Sequence, residues 1–219
     1  MSTLNVQEVN STTASHGSLT YSSYAVPSGD NKILRVGVHI EQGTVTVSTL
    51  THNGVAMTYR GRVALSITTV EYWDLQLGST TPTGNIVATY SGNVNISAMS
   101  IATETDLAQQ APEATQSASS SSSPINTAIT TITDDAVIVD VFTDNAGTIG
   151  ITQGPDQVQD VATSIATAPT MGYAASHRVA GTAGSYTLGW TGQSRLVHFL
   201  AAYEAAGAVG NPWYYYAQQ

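Results

Sequence analysis

An all-β fold, an antiparallel sandwich, is what the sequence predicts, on three observations. Short stretches of alternating apolar and polar residues recur about every 8–12 residues, with turn signals between them. No heptad and no long amphipathic helical pattern appears anywhere in the 219 residues. Two stretches one hundred positions apart, Gly84–Glu104 and Gly184–Glu204, share one layout: Gly84, Tyr90, Gly92 and Glu104 fall opposite Gly184, Trp190, Gly192 and Glu204. Asn53-Gly54 and Gln153-Gly154 keep the same offset. The duplication predicts two similar units, about 32–104 and 135–204. Together they are expected to close one two-sheet, jelly-roll-like sandwich over residues 1–206, because four or five strands per unit are few for a closed core. Residues 207–219 are expected to form an extended C-terminal tail.

In chain order, residues 1–30 are weakly patterned and end in a turn around Pro27, Gly29 and Asp30. Ile33–Glu41 alternates cleanly: Leu34, Val36, Val38 and Ile40 share one face, and Arg35, Gly37, His39 and Glu41 the other. This is the period of a half-buried strand. Asn53-Gly54 marks a hairpin, since both residues tolerate positive φ. Val63–Leu75 is a long β-rich run, and the Gly84 hairpin completes the first unit. Ser119–Ser123 reads as a linker or, in preference, as an edge strand leading into the alternating INTAITTIT. Ala136–Phe142 matches Lys32–Val38. Gln157–Ala168 has low β character and is expected to be a loop or short helix. Leu196–Tyr203 is apolar on both faces, which suits a central strand or a subunit contact.

Composition narrows the function classes. A net charge of −9 disfavours nucleic acid and anionic membrane surfaces as partners. Only 10% of residues are charged, so the surface is polar and uncharged. The chain has no cysteine, hence no disulfide framework and no thiolate metal site. His16, His39, His52, His177 and His198 show no HxH or HExxH spacing, and His39 and His198 fit packing or interface roles better than zinc ligation. Asp134-Asp135, Asp144-Asn145 and Asp156…Asp160 lack the spacing of a calcium loop, and turn chemistry accounts for them. No GxSxG elbow occurs, and Glu71 and Asp74, three apart on a strand, point to opposite faces, so they cannot flank one bond without a bulge. The expectation is a protein with no catalytic residues, no metal and no cofactor.

Three stretches carry a family resemblance: Asn53-Gly54-Val55-Ala56-Met57-Thr58, then Glu71-Tyr72-Trp73-Asp74-Leu75, then the Gly84 hairpin. Their order resembles that of a β-sandwich family of phage virion and bacterial surface proteins, over roughly residues 33–204. The resemblance implies a jelly-roll or related sandwich in a virion or surface setting, and brings no catalytic residues.

The most informative candidate site is the tail. Trp213, Tyr214, Tyr215 and Tyr216 crowd into its end, behind Asn211-Pro212. Each ring can bury about 150–250 Å². The tail is expected either to dock on a neighbouring subunit or capsid surface or to fold back over its own sandwich. His39 and Arg35 are the other expected interface residues. Arg60 and Arg62 are expected to share a face around Gly61, where they either reach a partner's carboxylates or, in preference, form ordinary surface ion pairs. The functional expectation is a capsid decoration (cement) protein on the outside of a virion. Its partners would be the major capsid protein and further copies of itself, a trimer before a dimer. The rival expectation is a glycan-binding tail, fibre or adhesin module. Its sugars would stack on exposed rings among Tyr21, Tyr24, Tyr59, Trp73, Tyr90 and Trp190, and fold analogy alone supports it.

Overall fold

The computed structural model describes residues 5–12, 15–145, 150–165 and 170–207, the first stretch through its backbone alone. Every regular element among them is a β-strand. The first unit contains β1 (Asn5–Thr12), β2 (His16–Ala25), β3 (Lys32–Glu41), β4 (Val47–His52), β5 (Val55–Ala56), β6 (Thr58–Leu65), β7 (Thr68–Gly78), β8 (Thr83–Val94) and β9 (Ser97–Glu104). The second contains β10 (Ala114–Ser120), β11 (Ile125–Thr131), β12 (Val137–Asp144), β13 (Thr152–Gln153), β14 (Val158–Ile165), β15 (Met171–Val179), β16 (Gly184–Thr191) and β17 (Leu196–Tyr203).

The antiparallel sandwich built from two similar units is what the chain forms, but each unit supplies both of its own sheets. In the first, β1-β9-β3-β7-β6 faces β2-β8-β4-β5; in the second, β10-β17-β12-β15-β14 faces β11-β16-β13. The two orders correspond strand for strand, β5 excepted. Each is a jelly-roll order, with β6 or β14 as an added edge strand. The chain therefore holds four sheets rather than two. Leu34, Val36, Val38, Trp73, Ile86 and Ile101 fill the first unit's interior. Ile129, Ile138, Leu188 and Leu200, with Phe142 and Trp190, fill the second's.

A third interior joins the two. Ile33, Val70, Tyr72, Val139, Val141, Val197, Phe199 and Tyr203 pack between the five-stranded sheets. This is why β3 is buried on both faces and not half-buried as the alternation predicts: its Arg35-Gly37-His39 face meets the other unit instead of water. The contact is reciprocal. β10 packs on β6 as β1 packs on β14, and β12 on β7 as β3 on β15. That is the pattern of an isologous, two-fold interface inside one chain. Gly37 and its counterpart Val141 meet there, and a Cβ on Gly37 would lie 2.5 Å from the Val141 side chain.

Ladder registers correct the sequence alignment. Ile33 lies opposite Glu104 and Val137 opposite Tyr203, so Glu104 corresponds to Tyr203, not Glu204. The stretch from Tyr90 to Glu104 is one residue longer than its counterpart from Trp190 to Tyr203. Ser119–Ser123 begins in the edge strand β10, paired with β17. Residues 158–165, expected as loop or helix, form β14; a bulge between Gln159 and Val161 breaks the alternation. β6 carries the same bulge between Tyr59 and Gly61.

Candidate functional site

Chemistry-bearing side chains converge at three places. The first lies inside the second unit. Asp140 on β12 is fully buried, yet its carboxylate accepts bonds from Ser176 N (2.6 Å) and Oγ (2.9 Å), Trp190 Nε1 (2.8 Å), Gln157 Nε2 (3.3 Å) and His198 Nε2 (2.9 Å). A carboxylate can only accept, so His198 carries its proton on Nε2. With Nδ1 free to accept, Thr127 Oγ1 donates to it across the two sheets at 2.8 Å. Gln157 also donates to Ser176 Oγ at 2.8 Å and accepts from Gly189 N at 2.7 Å. Thr127–His198–Asp140 is a hydroxyl–imidazole–carboxylate relay in outline. The hydroxyl belongs to a residue only 5% exposed, and His198 and Asp140 have no exposure at all. The network pins sheet to sheet and offers no approach to a substrate.

The second place is the seam between the units. Here the two bulges act alike. Each turns its extra residue, Arg60 or Asp160, onto the neighbouring strand's equivalent position, Asp74 or His177. Arg60 Nε donates to Asp74 at 2.8 Å and His177 Nδ1 to Asp160 at 2.7 Å, so acid and base have changed places between the copies. Asp160 also receives Arg35, which donates to Glu104 at 3.0 Å. Burial lowers the Arg35 pKa, but Asp160 and Glu104 outweigh it and the net shift is upward. Tyr203 donates to Asp74 at 2.6 Å, with the Tyr72 hydroxyl 3.2 Å away; burial raises the pKa of both phenols. His39 bonds Thr143 Oγ1 (2.7 Å) and Ser100 Oγ (2.9 Å), and burial pushes its pKa down to about 3.

His39 and Arg35, expected at a contact between subunits, are thus enclosed where the two units of one chain meet. Trp213, Tyr214, Tyr215 and Tyr216 lie outside the described residues. Arg60 and Arg62 do not share a face: the bulge sends Arg60 to Asp74 in the seam and Arg62 towards Glu71 on the other side. Glu71 accepts from Val47 N (3.1 Å) and Trp73 Nε1 (3.2 Å). Of the rings considered for sugar stacking, Tyr24, Trp73, Tyr90 and Trp190 are buried, Tyr21 is half-buried against the first unit's interior, and Tyr59 is the most open. Among the described residues no three His, Asp or Glu side chains form a metal-holding group.

The third place was not visible in the sequence. A groove of about 480 Å³ opens beside the β4–β5 hairpin, lined by His52, Asn53, Val55, Leu75, Gln76, Leu77, Thr80 and Pro82. That volume is within the range of small-ligand pockets. Burial lowers the pKa of His52, and the nearby Tyr24 backbone opposes the shift without reaching hydrogen-bond geometry. The neutral ring forms part of an otherwise uncharged wall. No local pattern announces it, because Leu75 and Leu77 alternate as any strand face does.

Fold and sites together define a class, a fused pair of jelly-roll sandwiches whose buried ionisable clusters tie sheets together. No protein family, no curated protein and no solved structure matches the chain.

Proposed function

We propose that this chain is a non-enzymatic structural protein of a virion, a capsid decoration protein that binds the outside of the shell and stabilises it through subunit contacts. The virion setting rests on the family resemblance of residues 33–204. The mechanical role is supported by one observation above the others. The converging acids and bases of the described residues are enclosed within the protein: Arg35–Asp160 and Tyr203–Asp74 tie one jelly roll to the other, and the Asp140 network pins together the two sheets of the second, making a four-sheet block. Such a block would resist shear across a junction of the shell. Its partners would be the major capsid protein and other copies of itself. The two-fold face is already used within the chain, which favours a trimer over a dimer.

Co-sedimentation with empty capsids tests this. Retention in hundreds of copies per particle, unchanged in high salt, is the expected result, because the surface carries few charges to screen. Selective binding to a glycan array by the isolated chain, lost in Tyr59→Ala, would replace this reading with that of a carbohydrate-binding module.

A further inference from the structure

We propose that the C-terminal aromatic cluster, Trp213-Tyr214-Tyr215-Tyr216, docks in cis in the groove between the β4–β5 hairpin and the β7–β8 connection. This is independent of the virion assignment.

The groove's chemistry suits such an occupant. Val55, Leu75, Leu77 and Pro82 give it an apolar wall, and Val55 is 55% exposed. Asn53, Gln76 and Thr80 also line it and can meet tyrosine hydroxyls. The eight lining residues carry no charge once His52 is neutral, and residues 208–219 carry no charged side chain. Burying one against the other therefore desolvates no ion.

The place where the described chain ends decides which segment is near. Ala205 bridges to Leu107, and Ala206 N donates to Asp106 O at 2.6 Å. Asp106 N donates to Asp30 O at 3.1 Å, and Ser79 Oγ to Asp30 Oδ1 at 2.6 Å. Ser79 adjoins Thr80 on the groove wall. Each hydrogen-bonded step between neighbouring chains spans ~5 Å. Six Cα-to-Cα steps lead from Gly207 to Trp213, a reach of up to ~20 Å. Asn211-Pro212, just before the rings, is a turn signal that lets the chain swing back. A tether this short holds the rings at an effective concentration on the order of millimolar. The chain's own groove therefore outcompetes a neighbour's in dilute solution.

The chain has no cysteine, so an introduced pair supplies its only thiols. Val55→Cys with Ala217→Cys leaves all four rings in place; Ile132→Cys with Ala217→Cys is the control, since Ile132 is 71% exposed on the other unit. Under mild oxidant at micromolar protein, the first pair is expected to form a monomeric disulfide at least tenfold faster than the control. Changing Trp213, Tyr214, Tyr215 and Tyr216 to Ser in the same background should erase that advantage. Equal rates for the two pairs, an advantage that survives the Ser changes, or a crosslink that appears only as a covalent dimer would each overturn docking in cis.

Discussion

The two units fill the same six places in opposite ways. Registers and the preserved offset pair Leu19 with Thr127, Val36 with Asp140, Met57 with Gln157, Trp73 with Ser176, Tyr90 with Trp190 and Met99 with His198. In the first unit these belong to an apolar interior. In the second they are the members of the Asp140 network. One backbone supports both, and the reason is completeness. Asp140 has a donor for each oxygen, and each donor's own remaining group is also met. A polar core holds when every member is satisfied and fails when one is not.

Exchanging one residue at a time should break that equivalence most. Val36→Asp puts a carboxylate among Leu34, Trp73 and Ile101 with no donors prepared for it, and it is expected to prevent folding outright. Asp140→Val strands the donors of Trp190, His198 and Ser176 and should cost about 3–5 kcal/mol in urea unfolding. Adding Thr127→Leu, Gln157→Met and His198→Met to Asp140→Val should recover at least half of that loss. No recovery would mean that the polar set fixes the sheet spacing in a way an apolar set cannot.

Acid probes the seam between the units. The His39 ring takes a proton near pH 6.5 when unfolded but only near pH 3 when folded, because burial disfavours the cation. A depressed pKa gives stability that is complete above about 6.5 and declines as pH falls from there to about 3. The slope from this one group approaches ~1.4 kcal/mol per pH unit. Urea midpoints at pH 7 and pH 4.5 should therefore differ less in His39→Gln than in the native chain. Equal differences would show that the imidazole does not set the acid limit.

The charge exchange at the bulges offers a smaller effect. Arg60→Asp faces Asp74 with a like charge and should cost about 2 kcal/mol; adding Asp74→His reproduces the second unit's arrangement and should return about half. Additive costs would mean that the two bulge pairs are not interchangeable.

Much of this was legible and some could not be. The alternation of Ile33–Glu41 and the Gly84 and Gly184 hairpins disclose strands and duplication, since backbone periodicity leaves its mark locally. The seam leaves none. Arg35 and His39 read as contacts to another subunit and Asp160 as turn chemistry, because a polar residue reads alike whether water, a partner or the chain's own second half meets it. The bulge at Asp160 shifts the alternation by one, which hid β14. The one-residue difference between Tyr90–Glu104 and Trp190–Tyr203 misplaced Glu204 opposite Glu104, because an alignment anchored on glycines does not sense which face a side chain takes. The groove escaped for a different reason: it is built from β4, β5, the end of β7 and the β7–β8 connection, and only their juxtaposition makes it.

Tyr203 tests the finest level of the comparison. It stands where the first unit has Glu104, but the two bond differently: Glu104 accepts from Arg35 in its own sheet, while Tyr203 donates across the seam to Asp74. Tyr203→Phe keeps the ring against Tyr72 and Phe199 and removes only the hydroxyl. Asp74 would then hold Arg60 alone, with Oδ1 already lacking a hydrogen-bond partner. The loss should be about 1–2 kcal/mol, as for a hydrogen bond to a charged group. Tyr72→Phe removes a hydroxyl whose contact is longer and neutral, and should cost less than half as much in the same urea titration. If the two substitutions weigh equally, the seam is held by ring packing, and the Asp74 carboxylate is satisfied by Arg60 without help from the other unit.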